Sequence, residues 1–168
     1  DNLCVAGHVV VNCRRANSII LGKNVNLVSR FRSNLVGLTN KMVMDTVFGG
    51  RIVIGNNSGL SGVILSSKNQ IVIGENVKIG GNVRLFDHDF HSTNFRARRN
   101  GVLNAAELQD RPIYIGNDVF IGTNAIILKG TKIGDRSIVG AGAVVAGLDV
   151  PPDSLIFGNP ARVIRQLQ

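Results

Sequence analysis

The chain has 168 residues, 44% of them hydrophobic, and a formal net charge of +8. That length suits one domain with its own core. No apolar run approaches the roughly 18 residues that span a membrane, and no basic-then-apolar leader begins the chain, so we expect a soluble cytoplasmic protein. Cys4 and Cys13 form neither a CxxC pair nor a dense framework, which favours reduced thiols over a zinc ribbon or a disulfide scaffold.

The basic residues occur in short clusters rather than in one long run. No nucleic-acid-binding motif or interleaved aromatic pattern accompanies them, which argues against a nucleic-acid partner. An anionic small molecule is the better expectation for a chain with this charge.

A six-residue spacing of aliphatic residues begins weakly near the start of the chain. Leu21 and Leu27 fit it, and the spacing is then lost between residues 30 and 50. We therefore predict a single domain whose residues 1–50 form irregular N-terminal coils, and leave the fold of that segment open.

The spacing returns over residues 51–150, the part that we expect to form regular coils. It places aliphatic residues at Ile54, Leu60, Ile73, Ile79, Leu85, Ile115, Ile121, Ile127, Ile133, Val139 and Val145. A period of six belongs to neither an α-helix nor a simple strand, and it predicts a parallel β-helix in which each hexad supplies a short strand and a corner. With three hexads to a coil, Ile115 would stack on Ile133, with strands about 4.8 Å apart.

Two stretches interrupt this pattern. Residues 86–112 are polar and arginine-rich and too long for a simple connection, so we expect a loop that carries function. After Pro151 and Pro152, which cannot continue a ladder, we expect residues 151–168 to form a short strand or helix that caps the last coil.

Residues 50–168 resemble the left-handed β-helix acetyltransferases, and especially the maltose, galactoside and capsule-sugar O-acetyltransferase branch. The hexads carry this resemblance together with the segments Asp87-His88-Asp89-Phe90-His91-Ser92 and Gly158-Asn159-Pro160-Ala161-Arg162-Val163-Ile164-Arg165. Residues 1–50 do not resemble the acceptor-binding helices of that branch.

The resemblance implies an all-β, left-handed parallel β-helix that assembles as a homotrimer, with the cofactor between neighbouring subunits. It also implies direct transfer of acetyl from acetyl-CoA to a hydroxyl of a sugar or surface-polysaccharide precursor, with no metal. An acceptor that is an amino sugar or a xenobiotic, or a non-catalytic β-helix scaffold, stays open as an alternative.

An alcohol is a poor nucleophile until a base takes its proton, and histidine titrates near neutral pH. Of the three histidines, His8 lies outside the repeats. The resemblance favours His91 as the base, because it precedes Arg98-Arg99-Asn100-Gly101 at the distance found in galactoside enzymes. His88 stays the alternative, and a carboxylate (Asp87 or Asp89) or a backbone carbonyl would orient the imidazole.

The remaining site residues also follow from the resemblance. The acceptor contacts would be Ser61, Asp87 and His88, with Ser61 in place of an asparagine. The coenzyme contacts would be Thr123, Ala141, Ala146, Gly147, Arg162 and Arg165. Phe120 stands in place of a tryptophan and Gly147 in place of a lysine, so we expect one phosphate contact to be missing. Arg162 and Arg165 are three apart and would share one face of a helix.

A zinc-dependent carbonic anhydrase can also be built on a left-handed β-helix. Its metal needs three converging histidines. His8 is far along the chain from His88 and His91, and the chain has no other histidine. This alternative is therefore disfavoured.

Overall fold

Short strands follow one another around the three faces of a prism in the computed structural model, which describes residues 2–101 and 110–167. We call the faces A, B and C in the order in which the chain visits them. The corners between successive faces are the A/B, B/C and C/A corners.

Face A has eight strands. They are β1 (Cys4–Gly7), β4 (Asn26–Ser29), β7 (Gly59–Ser61), β10 (Lys78–Ile79), β13 (Phe120–Ile121), β16 (Ile138–Val139), β19 (Ser154–Gly158) and β20 (Ala161–Gln166). Face B has six: β2 (Val9–Asn12), β5 (Met42–Asp45), β8 (Ile64–Ser66), β11 (Arg84–Phe86), β14 (Ile126–Leu128) and β17 (Val144–Ala146). Face C also has six: β3 (Ile19–Leu21), β6 (Arg51–Ile54), β9 (Gln70–Ile73), β12 (Ile113–Ile115), β15 (Lys132–Ile133) and β18 (Asp149–Val150).

Each strand pairs in parallel with its counterpart one coil away, except the last pair on face A. Ile115 stands opposite Ile133, as the hexads predict. The equivalent stacks of Ile121 on Val139 and of Ile127 on Val145 are also present. The predicted all-β, left-handed parallel β-helix is confirmed.

The inward aliphatic residues form a single core along the axis of the prism. The glycine that follows many of them is needed because adjacent coils approach closely there. A Cβ on Gly55, for example, would lie 2.5 Å from the carbonyl carbon of Gly74 in the next coil.

The C/A corner turns through a residue with positive φ in every coil. These residues are Asn24, Asn57, Asn76, Asp118, Arg136 and Asp153. Asparagine and aspartate tolerate this left-handed conformation better than other side chains. Small residues at the corners, such as Ala125 and Ser137, are buried.

The first fifty residues supply β1 to β5, which continue the three faces. Their main irregularity is an excursion at the A/B corner, between β4 and β5, which contains a 3-10 helix at Phe31–Ser33. Asn82 fastens this excursion: its Oδ1 accepts from Thr39 N (2.9 Å) and Asn40 N (3.1 Å), and its Nδ2 donates to Gly37 O (2.8 Å).

The second excursion leaves the B/C corner after β11 and returns at β12, within the predicted loop at 86–112. Its described part includes the helix α1 (Phe95–Arg99), which the Asn94 side chain caps by accepting from Arg96 N at 2.9 Å. Residues 102–109 of the predicted loop lie outside the described residues.

The C-terminal residues differ from the expectation in two ways. Pro151 and Pro152 occupy a C/A corner, and β19 follows them as one more parallel strand. Arg162 and Arg165 lie on β20, an antiparallel strand, so the helical alternative is wrong.

The two arginines nevertheless share a face of the sheet. Arg162 stands opposite Phe157 and Arg165 opposite Leu155, because the pairing shifts by one residue between them. Phe157 and Leu155 are two apart in β19, and residues with that spacing project from the same side of a strand.

No helix among the described residues is long and apolar enough to cross a membrane. Cys4 and Cys13 are both free and exposed.

Candidate active site

Two of the three histidines lie where the chain leaves face B after β11. With Phe86, Phe90 and Leu128 they line a cleft of about 440 Å³, which we call the histidine cleft. Phe86 and Leu128 are paired neighbours on β11 and β14, and they form its apolar floor.

His91 is exposed at the rim of this cleft. It makes no hydrogen bond to any of the residues that the structure describes. Both ring nitrogens are therefore available to a ligand, which is the condition that a general base must meet.

His88 is in a different environment, with only 3% of its surface exposed. Its Nδ1 lies 3.2 Å from the backbone carbonyl oxygen of Asp89, and its Nε2 lies 3.1 Å from Ser66 Oγ. Since a carbonyl oxygen only accepts, Nδ1 carries a proton. The ring also packs edge-on against Phe90, with 4.6 Å between ring centroids. These contacts favour a structural role for His88 over the predicted acceptor contact.

A chain of polar side chains supports His88 along face B. Ser66 Oγ lies 3.2 Å from Asp45 Oδ2, and Asn12 Nδ2 donates to Asp45 Oδ1 at 3.1 Å. Ser66 has a single hydroxyl proton, so it donates to Asp45 or to His88 but not to both at once. The first coils of the prism thus help to fix the start of the loop that carries His88 and His91.

Asp87 is fully buried, which argues against the predicted acceptor contact. Its Oδ2 accepts from Ser67 Oγ (2.6 Å) and Asn69 N (3.0 Å), and its Oδ1 accepts from Lys68 N (2.8 Å). Its carbonyl oxygen accepts from Arg111 N at 3.0 Å. The Asp87 carboxylate therefore holds the turn at residues 67–69 and does not face the cleft. Its carbonyl oxygen joins the two ends of the excursion through the bond from Arg111 N.

The Asp89 side chain forms an ion pair with Lys129. Among the described residues, neither its carboxylate nor that of Asp87 bonds to a histidine ring. A backbone carbonyl, and not a carboxylate, orients the imidazole of His88. The sequence left both possibilities open.

A smaller cleft of about 180 Å³ adjoins the histidine cleft and shares Phe86, His88 and Leu128 with it. It reaches Ala146 and Gly147, two of the predicted coenzyme contacts, and it is also lined by Arg111 and Lys129. The histidines and these two coenzyme positions therefore lie along one face.

Arg111 lines this smaller cleft, although the sequence did not single it out. Its guanidinium lies beside Gly147, where an added Cβ would be 3.8 Å from Arg111 Nη2. A cation is thus present next to the position at which a phosphate contact was expected to be missing. The only feature of the sequence that points to Arg111 is Gly147 itself. Gly147 has no side chain, and Arg111, which is distant in the chain, fills the space beside it.

Thr123 and Ala141 lie at the A/B corner, on the opposite edge of face B from Ala146. The Thr123 hydroxyl donates to Gly81 O at 2.7 Å. Within the described residues neither backbone nitrogen donates a hydrogen bond, so both N–H groups are free for a ligand carbonyl.

Ser61 lies on face A, with Phe120, in a separate cleft of about 300 Å³ that Lys78 also lines. Arg162 and Arg165 also belong to face A, on its last strand. One chain therefore divides the predicted site residues between two faces and does not bring Ser61 to His91.

No cluster of three or more His, Cys, Asp or Glu side chains that would suit a metal ion occurs within residues 2–101 and 110–167. His8 is at the A/B corner of the first coil, whereas His88 is at the B/C corner of the fourth.

The fold and the repeat define the class of protein. A family model described as "Bacterial transferase hexapeptide (six repeats)" matches residues 112–147. The galactoside O-acetyltransferase of Escherichia coli K12 is 37% identical over 121 residues, which are 71% of this chain and 56% of that relative. The chain spans about half the length of the curated relatives that it matches.

Solved structures extend the similarity over most of the chain. A hexapeptide-repeat-containing acetyltransferase from Vibrio cholerae, complexed with acetyl coenzyme A, is 33% identical with a TM-score of 0.66, over 89% of this chain and 71% of that chain. A maltose O-acetyltransferase from Clostridium difficile is 28% identical with a TM-score of 0.61, over 89% of this chain and 67% of that chain. This chain therefore belongs to the hexapeptide-repeat acetyltransferase family.

Proposed function

We propose that the protein transfers acetyl from acetyl-CoA to a hydroxyl of a sugar or surface-polysaccharide precursor, with His91 as general base. The observation that carries this proposal is the position of His91, exposed and without a hydrogen bond among the described residues, at the rim of a cleft that continues to Ala146 and Gly147. The solved Vibrio cholerae relative with bound acetyl coenzyme A supports the choice of donor.

In the proposed reaction the acceptor hydroxyl gives its proton to an imidazole nitrogen of His91 as its oxygen attacks the acetyl carbonyl carbon. The tetrahedral intermediate collapses with cleavage of the carbon–sulfur bond, and the departing thiolate takes the proton back from the imidazolium. A backbone N–H near the hexad glycines would stabilise the oxyanion. No covalent enzyme intermediate is needed.

We further propose that the coenzyme lies along the coils at Thr123, Ala141, Ala146 and Gly147. The free N–H groups of Thr123 and Ala141 suit the amide carbonyls of its pantetheine arm. Arg162 and Arg165, which share a face of the terminal sheet, suit its phosphates. Arg111, beside Gly147, adds a cation that the resemblance alone does not include.

A homotrimer would unite the two groups of site residues. His91 belongs to the face B side, whereas Ser61 and Phe120 belong to face A. A threefold axis brings two different faces of neighbouring subunits together, and in the proposed trimer these would be face A of one subunit and face B of the next. Ser61 would then contact an acceptor held by the partner subunit's His91.

Calorimetric titration with coenzyme A tests the donor site without a known acceptor. We expect saturable binding by the wild-type protein, and binding about tenfold or more weaker in Arg162→Ala/Arg165→Ala, because each arginine contributes about 1.5–3 kcal/mol if it contacts a phosphate. Lys132→Ala, an exposed cation on face C, is the matched control. An absence of binding at millimolar coenzyme by correctly assembled protein would overturn the proposal.

A further inference from the structure

The B/C corner holds a second cleft, nearer the N-terminus, that the proposed reaction does not use. It lies between the first two coils, has a volume of about 340 Å³ and is lined by Arg14, Arg15, Val47, Phe48 and Gly49. We call it the arginine cleft. Phe48 is 62% exposed, so its ring is available to a ligand.

Three cations lie at the arginine cleft or at its Phe48 ring. Arg14 and Arg15 line the cleft, and Lys68 Nζ lies 4.9 Å from the ring centroid. Within the described residues none of the three forms an ion pair. The cluster therefore carries positive charge that no described carboxylate neutralises by contact, and it attracts anions.

Two carboxylates of the second and fourth coils, Asp45 and Asp87, already have other partners. Asp45 accepts from Asn12 Nδ2 and from Val47 N, and Asp87 holds the turn that follows β8. Neither is free to pair with the arginines. Guanidinium groups bind phosphate with paired N–H donors, which makes phosphate the anion that this cluster suits best.

The exposed Phe48 ring beside these cations restricts the ligand further. An inorganic anion has no need of Phe48, whereas a nucleobase stacks on an aromatic face. Phosphate groups and a planar ring occur together in a nucleotide. We propose that the arginine cleft binds the nucleoside diphosphate part of a nucleotide-activated sugar, which serves as the acetyl acceptor.

The position of the arginine cleft fits that role, although calling the ligand an acceptor rests on the proposed function. Lys68, which contacts the Phe48 ring, also donates through Nζ to the backbone oxygen of Asp89, between His88 and His91 (3.4 Å). Phe48 and His88 occupy the same corner two coils apart, which corresponds to about 10 Å along the axis. A diphosphate held at the arginines would direct its sugar towards His91.

The coenzyme positions lie further along the prism. Ala146 is the last residue of β17 in the sixth coil, Gly147 follows it, and Arg162 is on the terminal strand. The arginine cleft is formed by the first two coils, so the two ligands occupy different sites and bind at the same time.

Calorimetric titrations with UDP and ADP test the site, with pyrophosphate and uridine as partial ligands. We expect UDP or ADP to bind saturably with coenzyme A present or absent. Arg15→Ala should weaken nucleotide and pyrophosphate binding about tenfold, because it removes a phosphate contact. Phe48→Ala should weaken nucleotide binding about tenfold but leave pyrophosphate binding unchanged, because it removes the stacking ring. Lys132→Ala, with the same change in net charge, should bind as the wild type does.

Three binding results would overturn the proposal: no saturable nucleotide binding at millimolar concentration, a nucleotide affinity that neither Arg15→Ala nor Phe48→Ala changes, or loss of nucleotide binding when coenzyme A is saturating. The last result would mean that the adenosine phosphate part of coenzyme A occupies the cleft. An altered oligomeric state of Phe48→Ala on size-exclusion chromatography, with unchanged UDP affinity, would assign the ring to a subunit contact and also overturn it.

Separate titrations with coenzyme A distinguish this proposal from the proposed function. If Arg15→Ala loses UDP binding and keeps coenzyme A binding, both are supported. If the wild type binds UDP but not coenzyme A, the nucleotide site stands and the acetyltransferase proposal fails.

Discussion

The C/A and B/C corners belong to the same prism but differ in how regular they are. At the C/A corner the inward residues of successive faces are six positions apart in every coil, from Leu21 and Leu27 to Val150 and Ile156. At the B/C corner the equivalent spacing ranges from thirty, between Leu85 and Ile115, down to five, between Val145 and Val150.

Their polar groups differ as well. At the C/A corner side chains bond to the next coil: Asn56 Oδ1 accepts from Lys23 N at 2.8 Å, and Asn117 Oδ1 accepts from Glu75 N at 2.9 Å. At the B/C corner several cations and His91 have no such partner among the described residues. The difference indicates that the C/A corner maintains the stacking of the coils, whereas the B/C corner holds the histidine cleft and the arginine cleft.

Substitution of His91 should have the largest effect and tests whether the B/C corner is catalytic. We expect His91→Ala to lower the acetylation rate by about two to four orders of magnitude, because a positioned base contributes that much. The melting temperature should not change, since His91 is exposed. Steady-state acetyl transfer and thermal denaturation measure the two effects. The assignment fails if His91→Ala keeps full activity while His88→Gln, correctly folded, loses it.

Asp87 sharpens the comparison because it is a structural residue at the functional corner. Asp87→Ala leaves three donors in the neighbouring turn without their acceptor and should cost about 3 kcal/mol of unfolding free energy. Asp89→Ala removes a partly exposed ion pair and should cost less than about 1 kcal/mol. Urea denaturation at one fixed protein concentration gives both values. Equal losses for the two variants would contradict the structural role of Asp87.

Asn76 tests the C/A corner through its backbone conformation alone. It turns the chain at a φ of +58°. Asn76→Ala should lower the unfolding free energy by about 1 kcal/mol, because alanine disfavours that conformation, whereas Asn76→Gly should be nearly neutral. Chemical denaturation distinguishes the two. If Asn76→Ala and Asn76→Gly lower the unfolding free energy equally, the left-handed backbone conformation is not the reason why asparagine stabilises this turn.

The smallest effect concerns the Arg136–Asp153 pair, which closes the C/A corner of the last coils. Arg136 Nε and Nη2 each donate to the Asp153 carboxylate at 2.7 Å, and this lowers the pKa of Asp153 below its ordinary value of 3.8. A carboxylate whose pKa is lowered by folding stabilises the folded protein at pH values above its ordinary pKa. That stabilisation is lost as the pH falls through the pKa of the folded state.

Asp153→Asn should therefore lower the melting temperature slightly at neutral pH. The difference should shrink in high salt, because the pair is exposed, and disappear under strongly acidic conditions. Melting curves of both proteins across pH measure it. A difference that grows towards acid pH would contradict the direction of the pKa shift.

The spacing of Ile115, Ile121 and Ile127 was sufficient to predict the face on which each of them lies, since an inward column repeats at a fixed interval when the corner is regular. Even the isolated Leu21–Leu27 pair marked a C/A corner correctly. The excursion after Leu27 could not be predicted in detail, because Asn82, which fastens it, is more than forty positions away in the chain.

The candidate site shows the same division. The family resemblance singled out His91 within the loop at 86–112. It also grouped Asp87 with the acceptor contacts, whereas the structure buries Asp87 against the turn at Lys68. Hydrogen bonding of a side chain to another coil leaves no periodic trace in the sequence. The same reason hid Arg111, whose place beside Gly147 depends on the stacking of different coils.

The sequence by itself determined the class of fold, its repeat and the position of the functional loop, because these depend on local spacing and on residue types close together in the chain. Only the tertiary structure decided which polar residues are occupied by neighbouring coils and which are free. It also decided that Ser61 and His91 lie on different faces of one chain. Those properties depend on how distant segments stack, and short-range patterns do not encode them.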